Sequence, residues 1–338
     1  MKLEIKIIKG HKYLYLRDKV KVNDKTAAIS FYVGRLSKLE KARVIEKLSE
    51  FEKIKLKRYV DYRLKKYRPV CLNKDQALSS EVLRYCYLRF LENYPDEFER
   101  YRQAVFVHYA QGTTAIEGNT ITQRQAEELF EHSVAPAGKT VREIHELINF
   151  KELERFFESY EGDVSEKLIK KTHTIIMRNL SDTSGEYRRI QVWIEKEEYV
   201  PPPPFEIPGL MKELITWYRA NKRKLPPLEL AILLHTKIVT IHPFVDGNGR
   251  LGRALLNFVL RRKGYPTLYL DLEHREKYLD VVAEGNKENY GPIINFICEV
   301  YVPQHDKIGA EITKKLQAGE LEEHKRLIRE FSKMAGNE

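Results

Sequence analysis

The sequence lacks the features that typify secreted, membrane-spanning and zinc-stabilised proteins. Its 338 residues include only 3 cysteines, Cys71, Cys86 and Cys298, and an odd number of scattered cysteines indicates neither a disulfide framework nor a zinc site. Apolar runs stay well short of the roughly 20 residues that span a bilayer, and the first residues alternate charged and apolar types, unlike a signal peptide. Low-complexity segments and internal repeats are absent as well. We therefore expect a soluble, cytoplasmic protein.

Positive charge is distributed unevenly along the chain. The formal net charge is +10, and hydrophobic residues make up 42% of the sequence, enough for a sizeable core. Residues 1–70 hold 21 Lys and Arg against 8 Asp and Glu, a local balance of +13, so the remaining residues sum to −3. Two interpretations stay open for this basic region. It contacts nucleic acid or another acidic partner, or it is a lysine-rich surface that only meets solvent.

Residue patterns predict a mainly α-helical chain with a small α+β region at its N-terminus. Residues 3–33 are rich in β-formers, with a turn at Asn23-Asp24. Apolar residues then recur at helical spacing, over 36–67, 79–92, 97–115, 209–219, 228–240, 251–262, 275–283, 293–300 and 308–331. The stretch from 116 to 178 also looks helical, with breaks at 136–138 and 162–163. One segment differs: apolar residues alternate from Ile190 to Ile194, and four prolines follow at 201–204. We interpret residues 185–194 as a short β-hairpin closed by a stiff polyproline stretch.

The densest chemistry lies in the segment HPFVDGNGRLGR, residues 242–253, between two apolar helical stretches. Gly247 and Gly249 allow a sharp turn that exposes backbone N–H groups. The helix that begins there adds the positive end of its dipole, so the loop can cradle a phosphate group. Arg250 and Arg253 are three residues apart, share a helix face, and can each bind phosphate oxygens.

The same segment carries a base and an acid. His242 has the one side chain whose ordinary pKa lies near neutral pH, which suits a general base. Asp246 supplies a hard carboxylate oxygen, which suits a Mg²⁺ ion that bridges phosphates. Each residue alone is compatible with a purely structural loop. Their concentration within residues 242–253 favours a site that handles phosphate esters.

Residues 242–253 resemble the signature of the Fic family, His-x-Phe-x-Asp/Glu-Gly-Asn-Gly-Arg-x-x-Arg, at every defined position. The resemblance extends over roughly residues 97–300. It implies a fold with a helical core, and transfer of AMP from ATP to a Ser, Thr or Tyr hydroxyl of a target protein, with release of pyrophosphate. It also implies that His242 deprotonates the hydroxyl and that Asp246 holds Mg²⁺.

The resemblance assigns nucleotide binding to the rest of the loop. Asn248 would orient the α-phosphate, and the amides of Gly247 to Gly249 would bind the α- and β-phosphates together with Arg250. Arg253 would bind the γ-phosphate. We count Gly252 among the nucleotide-binding residues of the segment.

The predicted hairpin resembles the flap of the family, which clamps an extended piece of the target protein. Such strand addition positions a peptide by main-chain bonds and leaves its side chains weakly specified. Val192, Trp193 and Ile194 are the candidate flap contacts, and an ordinary structural hairpin is the alternative.

The adenine side of the site departs from the family pattern. The family uses a Tyr and an Asn on the helix after the motif, and Tyr278 is the candidate for the Tyr. The usual Asn position falls on Ala283, with Asn286 as a nearby substitute. This departure leaves the identity of the nucleotide open.

An upstream segment, TTAIEGN at residues 113–119, resembles the inhibitory motif of the family, Ser/Thr-x-x-x-Glu-Gly/Asn, in its N-terminal placement. Thr113 and Glu117 are four residues apart and therefore share a helix face. By that likeness Glu117 pairs with Arg253 and denies it to the γ-phosphate. Without the family, the same residues describe a helix end capped by Gly118-Asn119 in a left-handed turn.

These inferences divide the chain into three parts. A basic α+β domain occupies residues 1–95, a Fic region residues 96–302, and a charged helical tail residues 303–338. Within the Fic region, the inhibitory helix covers residues 97–118 and the core covers about 160–300.

Three functions stay open. The first is autoinhibited AMP transfer. The second keeps the fold and changes the reaction to removal of AMP or to transfer of UMP, phosphate or phosphocholine, because the loop grips phosphates rather than the base. The third is a nucleic-acid-binding regulator that acts through residues 1–70 with a vestigial core, and the intact motif at residues 242–253 argues against it.

Overall fold

The computed structural model describes residues 1–22, 25–194 and 199–335. Among these residues helices predominate, as the sequence predicts, and the strands are confined to the N-terminus: β1 (Lys2–Ile8), β2 (His11–Val22) and β3 (Lys25–Arg35). The predicted turn at Asn23-Asp24 lies outside the described residues. In chain order the helices are α1 (Lys41–Lys66), α2 (Lys74–Asn93), α3 (Pro95–Ala115), α4 (Gln123–His132), α5 (Val141–Ser159), α6 (Glu166–Ile176), α7 (Ile207–Asn221), α8 (Pro227–Ile241), α9 (Asn248–Arg262), α10 (Arg275–Asn286), α11 (Gly291–Gln304), α12 (Asp306–Ala318) and α13 (Glu322–Ala335). Within the described ranges, no helix combines the length and the apolar character needed to cross a bilayer.

The chain folds into two compact units. The first comprises Met1–Tyr67, Ala77–Phe98 and His305–Glu338, and the second comprises Arg68–Gln76 and Glu99–Gln304. The sequence set residues 303–338 apart as a tail, whereas the structure includes nearly all of them in the first unit. The reason is the apolar face of α13, which packs into the same core as the strands.

The core of the first unit lies between one face of the sheet and α1. The three strands are antiparallel in the order β1-β2-β3. Leu14 and Leu16 alternate along β2 and are fully buried, because successive side chains of a strand point to opposite faces. Leu48 and Phe51 of α1 are also fully buried and pack into the same cluster.

In the second unit, α8 lies at the centre and packs against α7, α9, α10 and α11. Nearly every residue of α8 is buried, as expected for a helix surrounded by other helices. Gly252 of α9 allows a close approach to α8, because a Cβ atom there would lie 2.9 Å from Cδ2 of His235. The loop that joins α8 to α9 is therefore fixed at both ends by buried helices.

The predicted β-hairpin is not formed by the described residues around it. Residues 185–194 and 199–203 contain no strand, and residues 195–198 lie outside the described part of the chain. A β ladder needs N–H donors on both strands, and the prolines at 201–204 have none. Instead, the buried Arg188 side chain donates to the carbonyl oxygen of Ile190 at 3.0 Å and to that of Pro202.

Candidate active site

His242 occupies the junction between α8 and the loop. It caps α8 in a left-handed conformation, with φ 50° and ψ 58°, and its carbonyl oxygen accepts a hydrogen bond from Arg188 Nε at 2.8 Å. Burial lowers the pKa of His242 to about 4. The imidazole is therefore neutral near pH 7 and has a lone pair that can accept a proton.

The loop backbone is held by its own side chains. Asn248 accepts from the Phe244 N–H at 3.0 Å and donates to the Phe244 carbonyl at 2.9 Å. Gly247 has φ 79° and precedes α9 as its N-cap, so the left-handed region that glycine favours is used where the chain turns. The Asn248 amide is thus engaged with the loop, and Gly252 faces α8 rather than the loop surface.

A first group of charged residues, which we call the Asp246 cluster, consists of Arg142, Glu146, Asp246 and Arg250. Asp246 Oδ1 accepts from Arg250 Nη2 at 3.2 Å, and Oδ2 lies 3.5 Å from Arg142 Nη2. Arg250 also donates to Glu146 Oε1 at 3.1 Å. Arg250 and Glu146 are buried, whereas the Asp246 side chain is 49% exposed.

The donor set of the Asp246 cluster fits a magnesium ion that arrives with a nucleotide. Mg²⁺ is commonly held by one or two carboxylates together with substrate phosphates and water. The half-exposed Asp246 carboxylate can provide one such contact. Its present partners, Arg142 and Arg250, neutralise its charge and are also the kind of group that binds phosphate.

A second group, which we call the Arg253 cluster, consists of Thr113, Glu117, Arg253 and Tyr278. Arg253 is 5% exposed and donates to Thr113 Oγ1 at 2.7 Å, the Thr113 carbonyl at 2.9 Å, Glu117 Oε1 at 2.6 Å and the Tyr278 hydroxyl at 3.2 Å. The Glu117 carboxylate also lies over the loop, because a Cβ atom on Gly249 would meet Glu117 Oε1 at 2.7 Å. The Glu117 carboxylate therefore binds the Arg253 guanidinium and also fills the space beside Gly249.

The turn that carries Glu117 is anchored on two sides. Gly118 has φ 101°, and the Asn119 N–H donates to the Thr114 carbonyl at 3.1 Å, so α3 ends in a left-handed turn. The Asn119 side chain donates to Glu146 Oε2 at 2.8 Å, which links this turn to the Asp246 cluster. On the other side, Arg275 donates to the Ile116 carbonyl at 2.8 Å.

The adenine candidates lie in different surroundings. Tyr278 is buried, and its hydroxyl lies 2.8 Å from His235 Nε2 in addition to its contact with Arg253. Asn286 accepts from the Thr240 hydroxyl at 2.9 Å and lines a cavity of about 420 Å³. This cavity reaches the last turn of α8, next to His242, and its walls include Tyr199, Trp217, Thr240, Ile241, Asn286 and Tyr290.

The candidate flap contacts lie at the surface. The side chain of Trp193 is 72% exposed, and the side chains of Ile190 and Phe205 are 60% and 81% exposed. Val192 and Ile194 are partly buried and, like Trp193, lie in irregular backbone. Exposed large apolar side chains are common where a surface binds another protein.

Three residues that support the site were missed by sequence reasoning. Arg188 holds the carbonyl of His242, and Glu146 bridges Asn119 and Arg250. His173 stacks on Phe244 with ring centroids 3.7 Å apart, and its Nε2 lies 2.9 Å from the Asp246 carbonyl. Burial lowers the pKa of His173 to about 4, so it is neutral and holds the loop as a hydrogen-bond donor from Nε2. No spacing links these residues to the loop, and only the folded chain shows their role.

Comparison with known proteins identifies the family to which this site is similar. Residues 163–260 match the model of the Fic/DOC family, a range that includes the loop and His173 and excludes the turn at residues 113–119. A protein adenylyltransferase Fic of Drosophila melanogaster is 32% identical over 203 residues, which cover 59% of this chain and 41% of that protein. The corresponding Culex quinquefasciatus protein is 29% identical over 214 residues, covering 60% of this chain and 41% of that protein.

A solved structure shares the fold. A Fic domain containing signalling protein from Bacteroides thetaiotaomicron aligns with a TM-score of 0.61 and 25% identity, covering 71% of this chain and 98% of that chain. The chain spans less than half the length of the curated relatives it matches. The likeness to those relatives therefore concerns part of their length only.

Proposed function

We propose that this chain, which is similar to the Fic/DOC family over residues 163–260 and to relatives of that family, is an autoinhibited protein adenylyltransferase. It moves AMP from ATP to a Ser, Thr or Tyr hydroxyl of a target protein and releases pyrophosphate. The observation that carries this proposal is the joint placement of the neutral His242, the exposed Asp246 carboxylate and two arginines around one glycine turn. The names of the relatives, which are about 30% identical, support the same reaction.

The transfer step uses His242 as the base. Its neutral imidazole takes the proton of the target hydroxyl, and the hydroxyl oxygen forms a bond to the α-phosphorus of ATP. The bond between the α-phosphorus and the bridging oxygen breaks, and pyrophosphate leaves with that electron pair. The left-handed backbone of His242 and the bond from Arg188 to its carbonyl hold the imidazole in place for this transfer.

The phosphates lie along the first turn of α9. The N–H groups of residues 247–249 and the helix dipole favour negative charge at this end. Arg250 serves the α- and β-phosphates and Arg253 the γ-phosphate, each as a fork donor. A Mg²⁺ ion bound with ATP supplies charge neutralisation, and Asp246 is the carboxylate that would hold it. Asn248 acts through the loop backbone that it braces.

The base of the nucleotide fits the cavity next to α8. Asn286 presents an amide there that can bind a ring nitrogen or an exocyclic amine, and aromatic side chains such as Tyr199 and Tyr290 line the walls. Tyr278 acts instead on Arg253, through its hydroxyl. The target protein docks along Val192, Trp193 and Ile194, where its extended segment passes the active site.

Inhibition follows from the Arg253 cluster. While Glu117 holds Arg253 and covers Gly249, the γ-phosphate cannot bind the Arg253 guanidinium and has no room beside Gly249. ATP can still bind through the remaining groups, but with its α-phosphate out of line for attack. The same carboxylate is 32% exposed and could orient a water molecule, so removal of AMP from a modified target is the second candidate reaction.

Labelled ATP tests the proposal. The Glu117→Gly variant, incubated with ATP labelled at the α-phosphate, should transfer label to itself or to a protein of a cell extract. ATP labelled at the γ-phosphate should transfer none, which excludes phosphate transfer, and labelled UTP tests the choice of base. Adding His242→Ala should lower the rate by about 10²–10⁴-fold while nucleotide binding persists.

Controls separate chemistry from folding. His132→Ala, a change at an exposed histidine, should leave the rate of the Glu117→Gly variant unchanged. Near-normal transfer by the variant that lacks His242 would exclude it as the base. Release of AMP from a modified protein, with no forward transfer by Glu117→Gly, would favour the second reaction.

A further inference from the structure

The outer face of the N-terminal sheet carries three tyrosines, of which Tyr32 contacts both Tyr13 and Tyr15. Leu14 and Leu16 face the core, so Tyr13 and Tyr15 point to the other side of β2. Tyr32 of β3 lies beside both, with ring centroids 6.2 Å from Tyr13 and 5.5 Å from Tyr15. Tyr32 is 50% exposed, so aromatic surface is presented to solvent on a sheet whose opposite face is buried.

Basic side chains surround these rings. The strand register places Lys2 and Lys6 of β1 opposite Arg17 and Tyr13 of β2, on the same outer face. Lys6 Nζ lies 4.4 Å from the centre of the Tyr15 ring. The acidic residue of β1 on this face, Glu4, is already paired with Arg17 at 3.0 Å. The face is therefore positively charged around an aromatic centre.

We propose that this face binds single-stranded nucleic acid. Unpaired bases stack on aromatic side chains, and a basic surround attracts the phosphate backbone. The exposed Tyr32, with Tyr13 and Tyr15 beside it, can stack on unpaired bases, with Lys2 and Lys6 near their phosphates. The excess of 13 positive charges over residues 1–70 supports the same partner.

The arrangement favours a single strand over a duplex. Stacking on Tyr15 and Tyr32 needs base faces that a double helix keeps inside its own stack. Contact of lysines with solvent alone would not account for three neighbouring tyrosines on the same face. A second copy of the chain would bring the same positive charge and repel it. Binding at this face does not depend on the AMP transfer proposed above.

Fluorescence anisotropy with the full chain and without ATP tests the inference. The probes are labelled 12-mers of uridine and of thymidine and a 12-base-pair DNA duplex, at 50 and 200 mM salt. The single strands should bind at least tenfold more tightly than the duplex, and binding should weaken with salt. The two 12-mers show whether RNA or DNA is preferred.

Variants localise the binding. Tyr15→Ala with Tyr32→Ala should weaken single-strand binding at least about tenfold, and Tyr15→Phe with Tyr32→Phe should retain it within about twofold, since a phenyl ring still stacks. Lys2→Glu with Lys6→Glu should lower both the affinity and its salt dependence. The control is Lys53→Glu with Lys57→Glu, which makes the same charge change at exposed positions of α1.

Several outcomes would overturn the proposal. They are absence of single-strand binding at 50 mM salt, equal binding of the duplex, and equal weakening by the control pair. Light scattering that shows a dimer, lost in the tyrosine variants, would assign the face to a second copy instead. If the alanine pair fails to fold by circular dichroism, the Lys2 and Lys6 pair decides.

Discussion

Arg250 and Arg253 lie one turn apart on α9 and are both buried, yet they hold different kinds of partner. Arg253 binds one carboxylate, that of Glu117, and three neutral oxygens. Arg250 binds two carboxylates, those of Glu146 and Asp246. Asp246 belongs to the same loop segment as Arg250, whereas Glu117 comes from a turn 136 residues away from Arg253 in sequence.

This difference suggests which arginine can exchange a carboxylate partner for a phosphate. Asp246 and Arg250 of the Asp246 cluster lie within residues 242–253, one helical turn apart, so we expect both to stay in place when a nucleotide and its metal ion bind. The Glu117 contact in the Arg253 cluster depends on the docking of the turn that follows α3, and we expect a triphosphate to compete for the same guanidinium. We infer that the Asp246 cluster is needed for AMP transfer itself. The Arg253 cluster determines whether transfer is inhibited.

The largest expected effect breaks the Asp246 cluster. In the Glu117→Gly background, Asp246→Ala should lower transfer at least about 100-fold, since a metal that neutralises phosphate charge contributes several kcal/mol. The measurement is the transfer rate as a function of Mg²⁺ concentration. Arg178→Ala, which removes a surface ion pair with Glu152, serves as a control. Full activity in EDTA would exclude the metal role.

A smaller effect should follow from loosening the Arg253 cluster. Thr113→Val removes the hydroxyl that accepts from Arg253 Nε and should raise transfer about tenfold over wild type, since a hydrogen bond to a charged group contributes at least about 1.5 kcal/mol and about 1.4 kcal/mol is a factor of ten in rate. Thr114→Val is the matched control, because Thr114 is equally buried and its hydroxyl bonds to carbonyls of α3. Equal activation by both variants would indicate general loosening of α3.

The smallest expected effect concerns how the free energy of unfolding depends on pH. Burial lowers the pKa of His235 to about 3 and that of His173 to about 4, whereas both titrate near 6.5 when unfolded. The unfolded state therefore binds more protons below about pH 6.5, and stability is lost as the pH falls from there toward 4. Each histidine contributes at most about 1.4 kcal/mol per pH unit in this window.

Thermal unfolding between pH 7.5 and 4.5 tests this expectation. His235→Gln should flatten the decline of the unfolding midpoint with falling pH, whereas the exposed His132→Gln should leave it unchanged. An unfolding midpoint of the wild type that stays constant down to pH 4.5 would contradict the lowered pKa values of these two histidines.

The loop could be predicted from the sequence because its contacts are local. Asn248 braces Phe244 four residues away, Asp246 meets Arg250 one helical turn on, and Gly247 turns the chain where glycine is needed. A short motif can record all of these contacts. The helices and the N-terminal strands were predicted for a similar reason, since each depends on the periodicity of its own residues.

The rest depends on contacts that no short motif records. Arg188 and His173 reach the loop from 54 and 73 residues away, and Glu146 reaches Arg250 from 104 residues away. The segment before the prolines alternates like a strand, but the prolines that follow cannot complete a ladder. The Glu117 contact with Arg253 was expected only from the family resemblance, because helical spacing alone also describes a solvent-facing glutamate.

A four-variant comparison tests the central claim, that Glu117 restrains transfer by holding Arg253. Wild type, Glu117→Gly, Arg253→Ala and the double variant are assayed with ATP labelled at the α-phosphate. We predict that Glu117→Gly raises transfer at least about tenfold, and that this gain disappears when Arg253 is also removed, since the two changes act on one interaction. A Glu117→Gly variant no more active than wild type, or an equal gain with and without Arg253, would contradict the account.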